Sequence, residues 1–116
     1  MTNPSLDKMI ELVELNIGRL KPEAVGIVDV KYGVWGEKGS FPMGTLDHYK
    51  KFPLSDMHRG DSIHNNNTFL MKVTEKTGII VVMSDLHTAR LAAINLREHL
   101  NALSDFYKLE KSIKKR

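Results

Sequence analysis

Apolar positions near the start of the chain recur every three or four residues. Leu6, Met9, Ile10, Val13, Ile17 and Leu20 form one stripe, widened by Leu12 and Leu15. This pattern predicts an amphipathic helix from about residue 6 to 20. Ser5 is placed to cap it. Lys21-Pro22 is placed to stop it, because a residue before proline avoids the helical region. The period then changes. Ala24-Val25-Gly26-Ile27-Val28-Asp29-Val30 is apolar at nearly every position and reads as a strand. Lys31-Tyr32-Gly33 is its turn, and Val34-Trp35-Gly36-Glu37 begins the return, softened by Gly33, Gly36 and Gly39.

A second strand pair follows later. Phe69, Met71 and Val73 alternate with Leu70, Lys72 and Thr74, the period of a half-buried strand. Glu75-Lys76-Thr77-Gly78 reads as the connecting loop, closed by its glycine in the left-handed conformation. Ile79-Ile80-Val81-Val82-Met83 is apolar throughout, which predicts a strand at the sheet's centre or covered on both faces. Ser84-Asp85 offers a capping oxygen to a long helix starting near Leu86. That helix carries Ala89, Ala92, Ala93, Leu96, Leu100, Leu103 and Tyr107 on one stripe. Leu91, Ile94, Phe106, Leu109 and Ile113 lie on a second. Two stripes need more cover than one sheet face gives, so the second belongs either to a larger core or to a second chain. Leu91, Ile94 and Phe106 are the candidate interface residues.

Residues 41–67 fit no long element. Phe41-Pro42-Met43-Gly44 and Phe52-Pro53 leave room for a short helix over Thr45–Lys51, capped by Thr45, with Leu46, Tyr49 and Phe52 turned inward. The remainder is polar and rich in turn formers, a length of loop that is often functional. The predicted fold class is therefore α/β of the α+β kind. A small antiparallel sheet of four to five strands is packed by an N-terminal and a long C-terminal helix. The 116 residues suit a single domain, 1–116.

Composition narrows the chemistry. The chain is 41% apolar and 27% charged, and it has no cysteine. Disulfides and thiolate metal sites are thereby excluded, and a reducing, cytoplasmic setting fits. No apolar run approaches the ~20 residues of a membrane span, and no signal peptide is visible. Net charge is only +3, but Lys108, Lys111, Lys114, Lys115 and Arg116 crowd the last nine residues. Such a tail could contact nucleic acid. Its lysines also complement a helix's negative end, and no aromatic side chains interleave with them, so nucleic acid is not the expected partner.

Five histidines invite a metal or acid–base reading. His48, His58 and His64 share the polar middle with Asp47, Asp56 and Asp61, and with Trp35 they are the candidate ligand- or metal-binding residues. Their spacing matches no known ligand pattern. His87 and His99 would lie about 18 Å apart along one helix, too far to share an ion. No nucleophile elbow or phosphate-binding loop is present, so no catalytic residues are named and no cofactor is expected.

With Val25–Val30 turning at Tyr32-Gly33 and Ile79–Met83 feeding a helix at Asp85, the element order resembles the roadblock/LC7 family and its longin-like relatives. That resemblance implies a small αβ sandwich that homodimerises and scaffolds or regulates Ras-like small GTPases. Two features depart from it. Pro42, Gly44 and Pro53 restrict the family's central helix. Ser62–Asn66 would also have to supply a third strand after that helix. The same layout suits PAS- or GAF-like sensor modules, in which the 45–67 loop would enclose a small molecule or metal.

Overall fold

The computed structural model describes residues 4–17 and 19–99. Its elements run α1 (Pro4–Ile17), β1 (Ala24–Asp29), β2 (Val34–Gly39), α2 (Thr45–Tyr49), a single 3-10 turn (Leu54–Asp56), β3 (Ser62–Asn65), β4 (Thr68–Lys72), β5 (Thr77–Val82) and α3 (Leu86–Glu98). The five strands form one antiparallel sheet in the order β2-β1-β5-β4-β3. The α+β class read from the sequence is the observed one. The uncertain segment at Ser62 is a true fifth strand, pairing Ile63 with Leu70 and His64 with Phe69.

β5 lies at the sheet's centre, as its unbroken apolar run requires. Odd-numbered residues of β1, β4 and β5 face the helices. Val25, Ile27, Phe69, Met71, Ile79 and Val81 pack there against Met9, Val13, Ile17, Ala89, Ala92 and Leu96. The alanines bring α3 close to the sheet, which explains why three small residues share one face.

The second face overturns one expectation. β4 is not half-buried; all five of its residues are buried. Residues 41–57 fold back over this face and build a second core. Tyr49 and Leu54 meet Val28, Tyr32, Leu70 and Ile80, with Phe41, Leu46 and Met57 at its margin. Even Lys72 is buried there, its ammonium donating to the Ser55 carbonyl at 3.3 Å. The protein is thus layered as helices, sheet, and an irregular cover.

Local signals were right about position more often than about mechanism. α1 includes Ser5 and ends at Ile17, so Ser5 does not cap it and Leu20 packs on the core from outside the helix. Leu15, expected in the apolar stripe, is 75% exposed. α2 begins after Gly44, whose φ of 82° is left-handed, and the Thr45 hydroxyl donates to the Pro42 carbonyl instead of capping. The β4–β5 turn is closed by Thr74, whose hydroxyl accepts from the amides of Lys76 and Thr77. Gly78 lies within β5, where a Cβ would meet Leu54 and Leu70 side-chain carbons at 3.0–3.2 Å. It is a glycine of close packing, not of turn geometry.

Candidate functional site

α1 lies over β1 and β2, α3 lies over β4, and the two helices touch. Asn95 Nδ2 joins them by donating to the Ile17 carbonyl at 3.3 Å. α3 is fixed at its start by Asp85, whose Oδ1 accepts from the Thr88 amide at 2.7 Å. That bond holds the Asp85 carboxyl below its usual range. With Ala89, Ala92, Ala93 and Leu96 facing the sheet, the opposite side of α3 carries Leu91 and Ile94, 40% and 51% exposed. Leu15 occupies the matching outward position on α1. The outer surface of the helix layer therefore has an apolar centre.

Its two flanks carry opposite charge. On the β2 side, Asp7, Glu11 and Glu14 fall within about 60° of one another around α1. Together with Ile10, Glu37 and Lys38 they line a groove of about 290 Å³. Glu14 is held by Lys38 at 3.2 Å. On the β3 side, Arg90 and Arg97 are seven residues apart and share one edge of α3. Arg97 Nε donates to the Gly60 carbonyl at 3.1 Å. His64 of β3 sits beside these arginines. Burial first, then the positive charges of Arg90 and Arg97, push its imidazole below the ordinary range. The charged stripes carry no apolar periodicity, so the hydrophobic pattern passed over them; spacings of four and seven in like charge were the available signal.

The candidate ligand residues are dispersed. His48 lies on α2 over the second sheet face, edge-on to Tyr49 at 5.1 Å. His64 lies on the helix side of the sheet, 5.6 Å from Phe69. His58 is in an exposed turn whose amide donates to Asp61 Oδ2 at 2.9 Å. Trp35 packs against the helix-side core while its Nε1 donates to Asp29 Oδ2 at 3.2 Å. Among the described residues, no group of three or more His, Cys, Asp or Glu is gathered to hold a metal ion. Phe106 and the basic residues Lys108, Lys111, Lys114, Lys115 and Arg116 lie outside the described residues.

Two cavities open on the covered face. One of about 200 Å³ is mainly apolar, lined by Val28, Val34, Phe41, Leu46 and Ile80 among others. The other, about 150 Å³, is polar, with His48, Tyr49, Thr68 and Asn65–Asn67 around it. Tyr49 is buried and its hydroxyl has no hydrogen-bond partner among the described residues. Burial pushes its pKa up, so the hydroxyl stays protonated. Tyr49→Phe is therefore expected to leave stability unchanged or raise it by up to about 1 kcal/mol, since it deletes an unsatisfied group at constant shape. Urea denaturation checks this; a clear loss of stability would mean that the hydroxyl has a partner in solution.

The class of protein this architecture defines is an α+β module with β2 and β3 at the sheet's edges and a polarised helix face. Among solved structures, the chain is similar to one described as "MglB with tetrameric arrangement", aligning over 90% of this chain and 93% of that one. The TM-score is 0.55 and the identity 12%. The likeness supports a roadblock-like fold. No protein-family model matches the chain, and no curated protein matches it. Among the described residues, no helix is long and apolar enough to cross a membrane.

Proposed function

We propose that this protein is a small cytoplasmic interaction module that homodimerises and regulates or scaffolds a Ras-like small GTPase. The carrying observation is the roadblock-like fold, matched over nearly the whole of both chains. The exposed Leu91 and Ile94 support it further, because paired apolar side chains on an outward helix face suit a protein contact. The similar structure is of MglB in a tetrameric arrangement, which favours an assembling protein here too. On this reading the protein acts by contact and needs no cofactor or catalytic group.

The test is sedimentation equilibrium of the purified chain, followed by titration with Ras-like GTPases loaded with GDP or a GTP analogue. A dimer that distinguishes the two nucleotide states is expected. A monomer across the whole concentration range would remove the homodimer. Indifference to every GTPase tried, from a verified dimer, would leave an interaction module of another partner class.

A sensor role is the second reading, favoured by the polar cavity beside His48 and Tyr49. A ligand seated there would raise thermal stability with the logarithm of its concentration above its Kd.

A further inference from the structure

β2 ends the sheet, and among the described residues its backbone pairs with β1 alone. It is six residues long and mostly exposed, and Gly36 and Gly39 leave parts of its backbone bare. The outer edge of such a strand carries a row of N–H and C=O groups that an extended chain can complete.

Register assigns the two sides of that edge. Val34 and Glu37 pair with Val28 and Gly26, so they stand on the covered face of the sheet. Lys38 pairs with Val25 and stands on the helix face, where its ammonium meets Glu14 at 3.2 Å. A strand added beside β2 alternates in the same way, sending every second side chain to each face.

The two faces offer those side chains different surroundings. On the covered face lies the apolar cavity of about 200 Å³, with Val34, Phe41 and Leu46 in its lining. Val34 is half exposed, so the apolar wall runs out to the strand's edge. On the helix face lies the groove of about 290 Å³ between α1 and β2. Asp7, Glu11, Glu14 and Glu37 line it against the single Lys38, which leaves the groove acidic. Glu37, at the rim, borders both hollows.

We propose that β2 accepts an extended segment of a partner protein as a sixth strand, one whose side chains alternate between apolar and basic. The apolar ones enter the cavity beside Val34, and the basic ones lie along the α1 carboxylates. Backbone pairing supplies affinity, and the alternation supplies the choice of partner. This docking requires neither the homodimer nor a GTPase, so it extends the interaction-module reading without depending on those two parts.

The probe is a short fluorescent peptide of alternating valine and lysine, titrated with the full chain and read by anisotropy. One control peptide gathers the same valines and lysines into two blocks. A second keeps the alternation but carries N-methyl amides, which removes the backbone donors. The alternating peptide is expected to bind at least about tenfold more tightly than either control. Glu11→Lys reverses a charge at an exposed position, so the fold is kept, which circular dichroism verifies. That variant is expected to bind the alternating peptide at least about tenfold more weakly than the wild type.

Equal binding of the block peptide would reveal attraction of charge alone and overturn the added strand. Undiminished binding of the N-methylated peptide would do the same. Unchanged affinity in Glu11→Lys would overturn the placement beside α1, and failure of the alternating peptide to bind would overturn the docking edge itself. None of these results bears on sedimentation of the chain or on its response to a GTPase, so the two readings fail separately.

Discussion

Leu91→Asp is expected to weaken self-association by roughly a hundredfold while leaving a folded monomer, and Ile94→Asp to do the same. At the centre of an interface, a truncated apolar anchor commonly costs about 2 kcal/mol or more, and an aspartate adds the burden of an unpaired charge removed from water. In the monomer the same side chains are exposed, on the side of α3 opposite Ala89, Ala92 and Leu96. Surface changes of that kind shift folding free energy by only about 0.5 kcal/mol. Sedimentation equilibrium and circular dichroism on each variant check both halves. Loss of the helical signal would place these residues in the core of one chain. An undiminished dimer would place the contact elsewhere, with the edge strands β2 and β3 as the next surfaces to test.

Leu54→Ala is expected to destabilise the protein by about 2–5 kcal/mol. Leu54 is fully buried and pins the irregular cover onto the sheet, with its methyl carbons against Gly78. Its removal leaves a void bordered by Tyr49, Leu70 and Ile80, which the strands cannot close without breaking register. Gly78→Ala should destabilise too, since its new Cβ would meet Leu54 at 3.0 Å. The two changes should not add. With the leucine shortened, the alanine at 78 gains room, so the double variant should be more stable than the sum predicts. Urea denaturation of the four proteins measures that coupling. Strict additivity would show that the cover does not press on β5 in solution.

Contact on both faces of the sheet is what makes this second experiment informative; the sequence reading allowed it for β5 and not for β4. Alternation in Phe69–Thr74 implied one wet face, because Lys72 and Thr74 are polar. Both are buried, the lysine through its bond to Ser55 and the threonine through the turn it closes. Short-range patterning carries no record of which distant segment will cover a strand. Residues 41–57 cover it with side chains spaced too irregularly to read as an element.

The candidate site divides in the same way. Leu91 and Ile94 were legible as a stripe separate from the alanines, because helical periodicity is a local property. Leu15 was misread, since Gly18 and Pro22 gave no measure of how widely α1 would be covered. The histidines looked clustered in the chain because proximity in sequence resembles proximity in space. The sheet places His48 and His64 on opposite sides of itself.

The sequence by itself determined the α+β class, the identity of the buried helix faces, the central apolar strand and the capped start of α3. Each depends on spacing within a dozen residues, where dihedral preference and periodicity leave little choice. Tertiary structure alone decided the fifth strand at Ser62, the covering of β4 on both faces and the segregation of acid and base onto opposite flanks of one face. Those features depend on which elements become neighbours, and that choice is made by burial summed over the whole molecule.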